Sequence, residues 1–303
     1  MSAPDVLEVL AEADRRGVLD LAAAASRADG ATSLSEDAVL RLGSGPGGHG
    51  DVVHLLRRAA DGTPAGYAQL AGPAQAREGE LVVHPGHRRR GHGTALLAEV
   101  ERLSAGTGGA VRLWSHGDTP GAAALAGRHG WRRVRELLRL ERPAAGLADL
   151  PVPALPEGVR VRPFVPGADD EAWVALNAAA FAGHPEQGRW TVPDLRARLA
   201  EAWFDPALLL LAQGPGGLVG FCWMKVEDGH GELYVLGVAP GHAGAGLGRA
   251  LLVRGLRAVA GAPAPPALVD LYVDGDNVPA LRLYARLGFE RAAVDVQYAA
   301  PAG

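Results

Sequence analysis

The sequence predicts an α/β protein made as a tandem duplication. Three observations carry that prediction. An apolar, strand-like run ends at Val83 and again at Val238, and each time a proline and a glycine-rich turn follow: LVVHPGHRRRGHG and VLGVAPGHAGAGLG. A helical stripe follows both turns, Leu96, Leu97, Val100 and Leu103 in one and Leu251, Leu252, Gly255, Leu256 and Val259 in the other, with the 3.6-residue period of an amphipathic helix. Further on, DTPGAAALAGRHGW (118–131) matches DNVPALRLYARLGF (276–289) at an offset of 158, close to the 155 that relates Pro85 to Pro240, Gly91 to Gly246 and Gly93 to Gly248.

Each half therefore reads strand, glycine turn, helix, strand, short helix, Gly-aromatic, strand. The period is the size of a domain, which excludes a solenoid. RPAAGLADLPVPALPEG (142–158) is rich in proline and poor in periodicity, as an extended connector is, and VRVRPF (159–164) then restarts as a strand. The expected division is an N-terminal domain over 1–145, a linker over 146–154 and a C-terminal domain over 155–303. The 303 residues, 48% of them hydrophobic, suffice for two cores.

Composition excludes several classes. A net charge of −4 argues against a nucleic-acid scaffold or a membrane-surface binder. Cys222 is the sole cysteine, so no internal disulfide forms and a reducing compartment fits. The start of the chain has no basic segment followed by an apolar one, and no run reaches bilayer length. The expectation is a cytoplasmic monomer with small-molecule partners. Among the 30 basic residues there is one lysine, Lys225, which marks a place where arginine does not serve or is a chance survivor in an arginine-biased chain.

A glycine-rich turn opening a helix aims several backbone N–H groups at one point, where the helix adds partial positive charge. That suits a pyrophosphate. A Walker A loop needs Gly-Lys-Ser/Thr, which neither copy has. The dinucleotide fingerprint fails because Arg249 follows Gly244 and Gly246 where a third glycine is required. A third pattern is Val-x-Pro, a spacer, then Gln/Arg-x-x-Gly-x-Gly/Ala. Val83, Pro85, Arg88, Gly91 and Gly93 satisfy it; Val238, Pro240, Gly246 and Gly248 do so with Ala243 in the Gln/Arg place. A tight turn that binds nothing is the competing account of each copy taken alone.

With the downstream LYVDGDNVPALRLYARLGF, this pattern resembles the GNAT superfamily of acyl-CoA-dependent N-acyltransferases. The tandem layout and FAGHPEQGRW (181–190) are similar to a branch of it that acetylates the cysteine amine of a cysteinyl-glucosaminyl-inositol. Other amine acceptors, an aminoglycoside or a protein N-terminus, and a non-catalytic acyl-CoA sensor are the alternatives. The resemblance implies a mixed, mostly antiparallel sheet flanked by helices in each half, and acetyl-CoA as cosubstrate. It implies that Leu236, Gly237 and Val238, the turn Ala243, Gly244, Ala245, Gly246, Leu247, Gly248 and Arg249, and the helix start Asn277, Val278, Pro279, Ala280, Leu281 and Arg282 hold acetyl-CoA in the second half. Leu81, Val82 and Val83 with Arg89, Arg90, Gly91, His92, Gly93 and Thr94 would do so in the first. His84, His87 and His92 show no partner ligands, so no metal is expected.

Amine acetylation needs a proton acceptor for the amine and a proton donor for the departing thiolate. Glu232 lies six residues before Val238, so strand period puts both on one face, and the resemblance makes it the general base. Tyr284 lies two helical turns from Asn277, on one face with it, and the resemblance makes it the acid. Glu232 equally suits a cross-strand pair with Lys225, and Tyr284 a buried helix aromatic. In the first half the offsets put Arg77 opposite Glu232 and Ala126 opposite Tyr284, which makes the second half the catalyst and the first a degenerate copy. By resemblance Glu36, Glu186, Lys225, Glu232 and Tyr272 contact the acceptor. Glu36 in SLSEDAV also reads as a solvated helix start, Tyr272 as a core position, and HRRR (87–90) as a solvated charge run.

Overall fold

The structure, a computed structural model, describes residues 3–43, 52–105, 110–183 and 187–301. The elements in chain order are β1 (Asp5–Leu7), α1 (Glu12–Asp29), α2 (Glu36–Arg41), β2 (Val52–Arg58), β3 (Pro64–Ala71), β4 (Ala76–Val83), α3 (His92–Ser104), β5 (Ala110–His116), α4 (Pro120–Arg128) and β6 (Arg132–Pro143). There follow β7 (Arg160–Pro163), α5 (Asp170–Ala180), α6 (Val192–Leu199), β8 (Leu209–Gly214), β9 (Gly217–Glu227), β10 (His230–Val238), α7 (Leu247–Ala260), β11 (Leu268–Asp274), α8 (Val278–Arg286) and β12 (Glu290–Ala299). No helix among the described residues is long and apolar enough to cross a membrane.

The chain forms two compact units. The first is Met1–Leu138 with Asp274–Asp276 and Ala293–Gly303; the second is Arg139–Val273 with Asn277–Ala292. Residues 146–154 lie within the second. In the first unit the strand order is β1-β2-β3-β4-β5-β12-β6, and in the second it is β6-β11-β10-β9-β8-β7. The β4/β5 and β10/β11 pairs are parallel, whereas β1 through β4, β7 through β10, and β5 with β12 pair antiparallel. Each sheet is thus mixed and mostly antiparallel.

The last strand of the chain completes the first unit: Asp295–Ala299 of β12 pair with His116–Arg112 of β5. The end of β6 belongs to the second unit, where Ala144 N donates to Ala267 O at 2.9 Å. Helices cover both faces. In the first unit α1 and α2 pack Val18, Leu21, Ala25 and Ala38 on Leu56, Tyr67 and Val82. On the other face Leu96, Leu97 and Val100 of α3 and Ala126 of α4 pack on Leu55, Ala68, Leu70, Val111 and Leu113. In the second unit Trp173, Leu176 and Leu195 of α5 and α6 pack on Leu209, Leu211, Phe221, Trp223 and Val235. The opposite face of β9 lies so close to α7 that a Cβ on Gly255 would sit 2.7 Å from Cys222 Sγ.

Candidate active site

The two glycine turns share one backbone. Residues 89 and 244 are left-handed (φ 61° and 81°), as are Gly91 and Gly246 (φ 81° in both). Gly91 and Gly246 are the N-caps of α3 and α7, and neither helix start has a side-chain cap. Helix geometry leaves the first N–H groups without intrahelical partners, so at both turns they stay available to an anion. The neighbouring short helices are closed instead: Thr119 Oγ1 accepts from Ala122 N at 3.3 Å on α4, and Asn277 Oδ1 from Ala280 N at 3.2 Å on α8. Arg88 braces the first turn, its Nε donating to Val83 O at 3.2 Å and its two Nη groups to Asp29, both at 2.7 Å. Ala243, in the same place of the second turn, carries no such brace.

Both parallel pairs splay apart. β10 stays in register with β11 as far as Leu233↔Leu271, then continues to Val238 along β9 alone. β4 leaves β5 after Glu80↔Trp114 and continues to Val83 along β3. The freed edge of each strand exposes backbone donors and acceptors that require partners. In the first unit the splay opens on a cavity of about 760 Å³ whose walls include Leu81, Val82, Val83, Arg89, Gly91, His92, Gly93 and Thr94. Arg90 is exposed beside these wall residues. Burial, with Arg57, His87 and Arg90 nearby, holds the His92 pKa below its ordinary value, and no cluster of potential metal ligands exists among the described residues.

The expectation that Glu232 and Val238 share a face is wrong, and a β-bulge is the reason. Glu232 pairs with Lys225 and Leu233 with Met224, but Val235 pairs with Trp223, so Tyr234 is an extra residue on β10. The insertion reverses the alternation. Glu232 lies on the face of Lys225, Trp223 and Phe221, under α5 and α6. Val238 pairs with Gly220 on the opposite face, where a Cβ at Gly248 of α7 would meet its Cγ2 at 3.6 Å. The bulge also displaces the comparison between halves. Glu232 pairs with Lys225 and Asp270; Glu78 pairs with Ala71 and Arg112 in the corresponding places. The counterpart of Glu232 is therefore Glu78 and not Arg77. Ala126 does occupy the place of Tyr284, at 5% and 7% exposure.

Two left-handed residues, Asp228 and Gly229 (φ 50° and 76°), make the tight turn that fixes the β9/β10 register. Lys225, opposite Glu232, pairs instead with Glu227 at 2.8 Å and lies 5.0 Å from the Trp203 ring centre. Burial lowers the Lys225 pKa, but the Glu227 bond and charge outweigh it and the net shift is upward, so the ammonium persists. Burial first, then the Asp270 carboxylate, raise the Glu232 pKa against Lys225 and His230. Tyr272 shares the Asp270 face of β11 and is 52% exposed, so it is not a core residue. Tyr284 is buried, 5.9 Å from the Phe289 ring, and burial raises its phenol well above the ordinary range, with Cys222 on the α7 face adding to the effect. The structure thus brings Glu232, Lys225 and Tyr272 to one face of the second sheet and Tyr284 to the other, with the splay between them. At the start of α8, Asn277, Val278, Pro279 and Arg282 are exposed, and Ala280 and Leu281 are half-buried. Glu36 begins α2 in the first unit, behind the Ser35 cap, and is exposed. Glu186 lies outside the described residues.

The Acetyltransferase (GNAT) family model matches residues 34–131 and 173–289. A mycothiol acetyltransferase of Kineococcus radiotolerans is 72% identical, covering 93% of this chain and 91% of its own. That of a Parafrankia species is 50% identical over 98% of both. The chain belongs to the mycothiol acetyltransferase family. It is an acetyltransferase with two GNAT domains. Among solved structures, a GCN5-related N-acetyltransferase from Sphaerobacter thermophilus superposes with a TM-score of 0.72 at 28% identity, covering 98% of this chain and 96% of that one. A tandem GNAT protein from the clavulanic acid pathway gives 0.71 at 22% identity over 99% and 98%, a likeness of fold.

Sequence reading of this family member missed the bulge residue Tyr234, the half-buried Trp203 and the pair His230 and Asp270. Asp270 left a trace, as the acidic residue inside the apolar run LVDLYV. Tyr234 left none, because GELYV alternates normally.

Proposed function

We propose that the second half transfers the acetyl group of acetyl-CoA to the cysteinyl amine of desacetylmycothiol, a cysteinyl-glucosaminyl-inositol, giving mycothiol. The first half binds acetyl-CoA at its open splay without turning it over. The observation that carries this reading is the position of the β10/β11 splay between a carboxylate on one face and a phenol on the other. A thioester threaded through that gap is open to an amine from the Glu232 side, while its sulfur lies toward Tyr284.

An α-amine with a pKa near 8, roughly, arrives mostly protonated at neutral pH. Glu232, directly or through water, takes its proton. The nitrogen lone pair then forms the C–N bond at the thioester carbonyl, the C–S bond breaks, the Tyr284 hydroxyl gives its proton to the sulfur, and the second nitrogen proton, lost as the amide forms, restores the tyrosyl hydroxyl through solvent. Because burial raises the phenol, Tyr284 holds that proton until the thiolate develops, and the transfer is concerted with C–S cleavage. Lys225 stays charged and donates hydrogen bonds to acceptor hydroxyls, while Tyr272 on the same sheet face adds an acceptor contact. The turn Ala243–Arg249 holds the pyrophosphate through backbone amides, which need no basic side chain at position 243.

The test is a product assay with acetyl-CoA and cysteinyl-glucosaminyl-inositol, beside an aminoglycoside and a peptide N-terminus. The acceptor amine should disappear while its thiol remains titratable. Faster turnover of either comparison acceptor would overturn the assignment.

A further inference from the structure

We propose that Asp270 and His230 are positioning residues for Glu232, a buried carboxylate at its flank and a half-exposed imidazole at its mouth that together set the charge state in which it meets an amine. The inference rests on the base role proposed for Glu232 and adds two residues outside it.

Glu232 and Asp270 are in-register neighbours on the parallel pair β10/β11. In-register residues point to the same face of strands about 4.8 Å apart. Asp270 is 4% exposed. Two carboxylates this close, both shielded from water, resist ionising together. His230 lies two residues before Glu232 on the same strand face. Its Nε2 is 3.0 Å from Asp270 Oδ1, while Arg139 Nη1 is 3.5 Å from Oδ2. Oδ1 is nevertheless buried without an aligned hydrogen bond, and the imidazole beside it is 44% exposed.

The remaining charged groups do not cancel the arrangement. On β9, Lys225 faces Glu232 but is engaged by Glu227. On β6, Arg139 divides its charge between Asp270 and Glu141 at 3.6 Å. The first half provides a contrast: Glu78, in the place of Glu232, has Arg112 beside it at 3.5 Å where Glu232 has Asp270. The carboxylate neighbour makes Glu232 a stronger base for an ammonium, and His230 moderates it. The purpose is a match, since a base works best with a proton affinity near that of its substrate and the operating pH.

The experiment follows Glu232 itself, by ¹³C NMR titration of side-chain-labelled glutamate in the full chain, with the signal assigned by its loss in Glu232→Gln. Asp270→Asn should lower the titration midpoint by about one pH unit, and His230→Gln should raise it by a few tenths. Midpoints within about 0.2 pH units of the parent in both variants overturn the proposal, and so does a shift of either in the opposite direction. If Asp270→Asn does not fold, His230→Gln decides alone, since that side chain is half exposed. The acidic limb of kcat against pH should move with the midpoint. A midpoint that moves while the limb stays supports the present proposal and instead removes Glu232 as the base.

Discussion

The two halves share one turn and one splay, and they differ at the point where chemistry would occur. Backbone features are duplicated faithfully: left-handed residues at 89 and 244 and at 91 and 246, uncapped helix starts, and a parallel pair that parts before its strand ends. Side chains around the splay are not. Trp223 and Val235, paired across β9 and β10 in an aromatic core, correspond to Gln69 and Glu80 across β3 and β4. Glu80 accepts from Ser35 N at 2.9 Å and lies 3.5 Å from His116 Nε2, while His116 Nδ1 lies 3.0 Å from Asp295. The first half therefore keeps the turn and the splay and places an internal ion cluster where the second half has an aromatic core. On the reading proposed above, cosubstrate binding resides in chain conformation, which survives substitution. Catalysis then resides in Glu232 as the β10 bulge places it and in the Tyr284 phenol, and the first half has neither the bulge nor the phenol.

Four measurements break or sharpen that contrast. The largest effect is expected at Glu232→Gln, which should lower kcat/KM for the acceptor by on the order of 10³ at pH 6 and by less at pH 9, where free amine accumulates. Glu78→Gln, in the matching place of the first half, should change it by less than about twofold; equal losses would end the assignment of catalysis to one half.

Next comes the ion cluster. Burial pushes the His116 pKa down, but Asp295 and Glu80 outweigh it and raise it to about 9. A pKa raised on folding gives stability that is complete below about pH 6.5 and is lost as pH rises through about 9, a loss of up to about 3 kcal/mol. Hydrogen exchange of β5 and β12 should show protection falling across that window in the parent and staying flat in His116→Gln. A flat parent profile would remove the ion cluster as a support of the first unit.

Third, Tyr284→Phe should lower kcat by about 10² and leave KM for acetyl-CoA nearly unchanged. An unaltered kcat, with single-turnover kinetics showing that chemistry limits, would leave Ala126 and Tyr284 equivalent and the contrast without its acid. The smallest effect tests the backbone side of the comparison. Ala243→Gln should tighten acetyl-CoA binding by less than about 1.5 kcal/mol in calorimetric titration. A gain of several kcal/mol would mean that the amides alone do not hold the pyrophosphate.

Much of the fold was legible because glycine and proline act locally. Pro85 and Pro240, with the glycines after them, mark the strand ends and helix starts without reference to anything distant. The Tyr284 counterpart was legible for the same reason, since α4 and α8 contain no insertion. Glu232 was harder. An offset carried back from the turn crosses the bulge and lands one residue off, on Arg77 instead of Glu78. A single inserted residue leaves hydrophobic alternation intact in the sequence and reverses it in space. The interior cluster was illegible too, because Glu80, His116 and Asp295 meet only through pairings between distant strands. RRVRELLRL and ERAAVDVQY both read as strands, but nothing in their period names the neighbour each will choose.

That choice bears on how the protein is made. The strand that finishes the first unit, Asp295–Ala299 against β5, is synthesised long after its partner. About 180 residues separate its partners, so closing that loop late in synthesis is entropically costly and slow. The N-terminal half must wait with an unpaired β5 edge until β12 has been made, exposed to whatever else can add a strand. A chain cut before Ala293 would leave the second unit nearly whole and the first one unfinished. Separate expression of the two sequence halves would hand each of them the wrong closing strand.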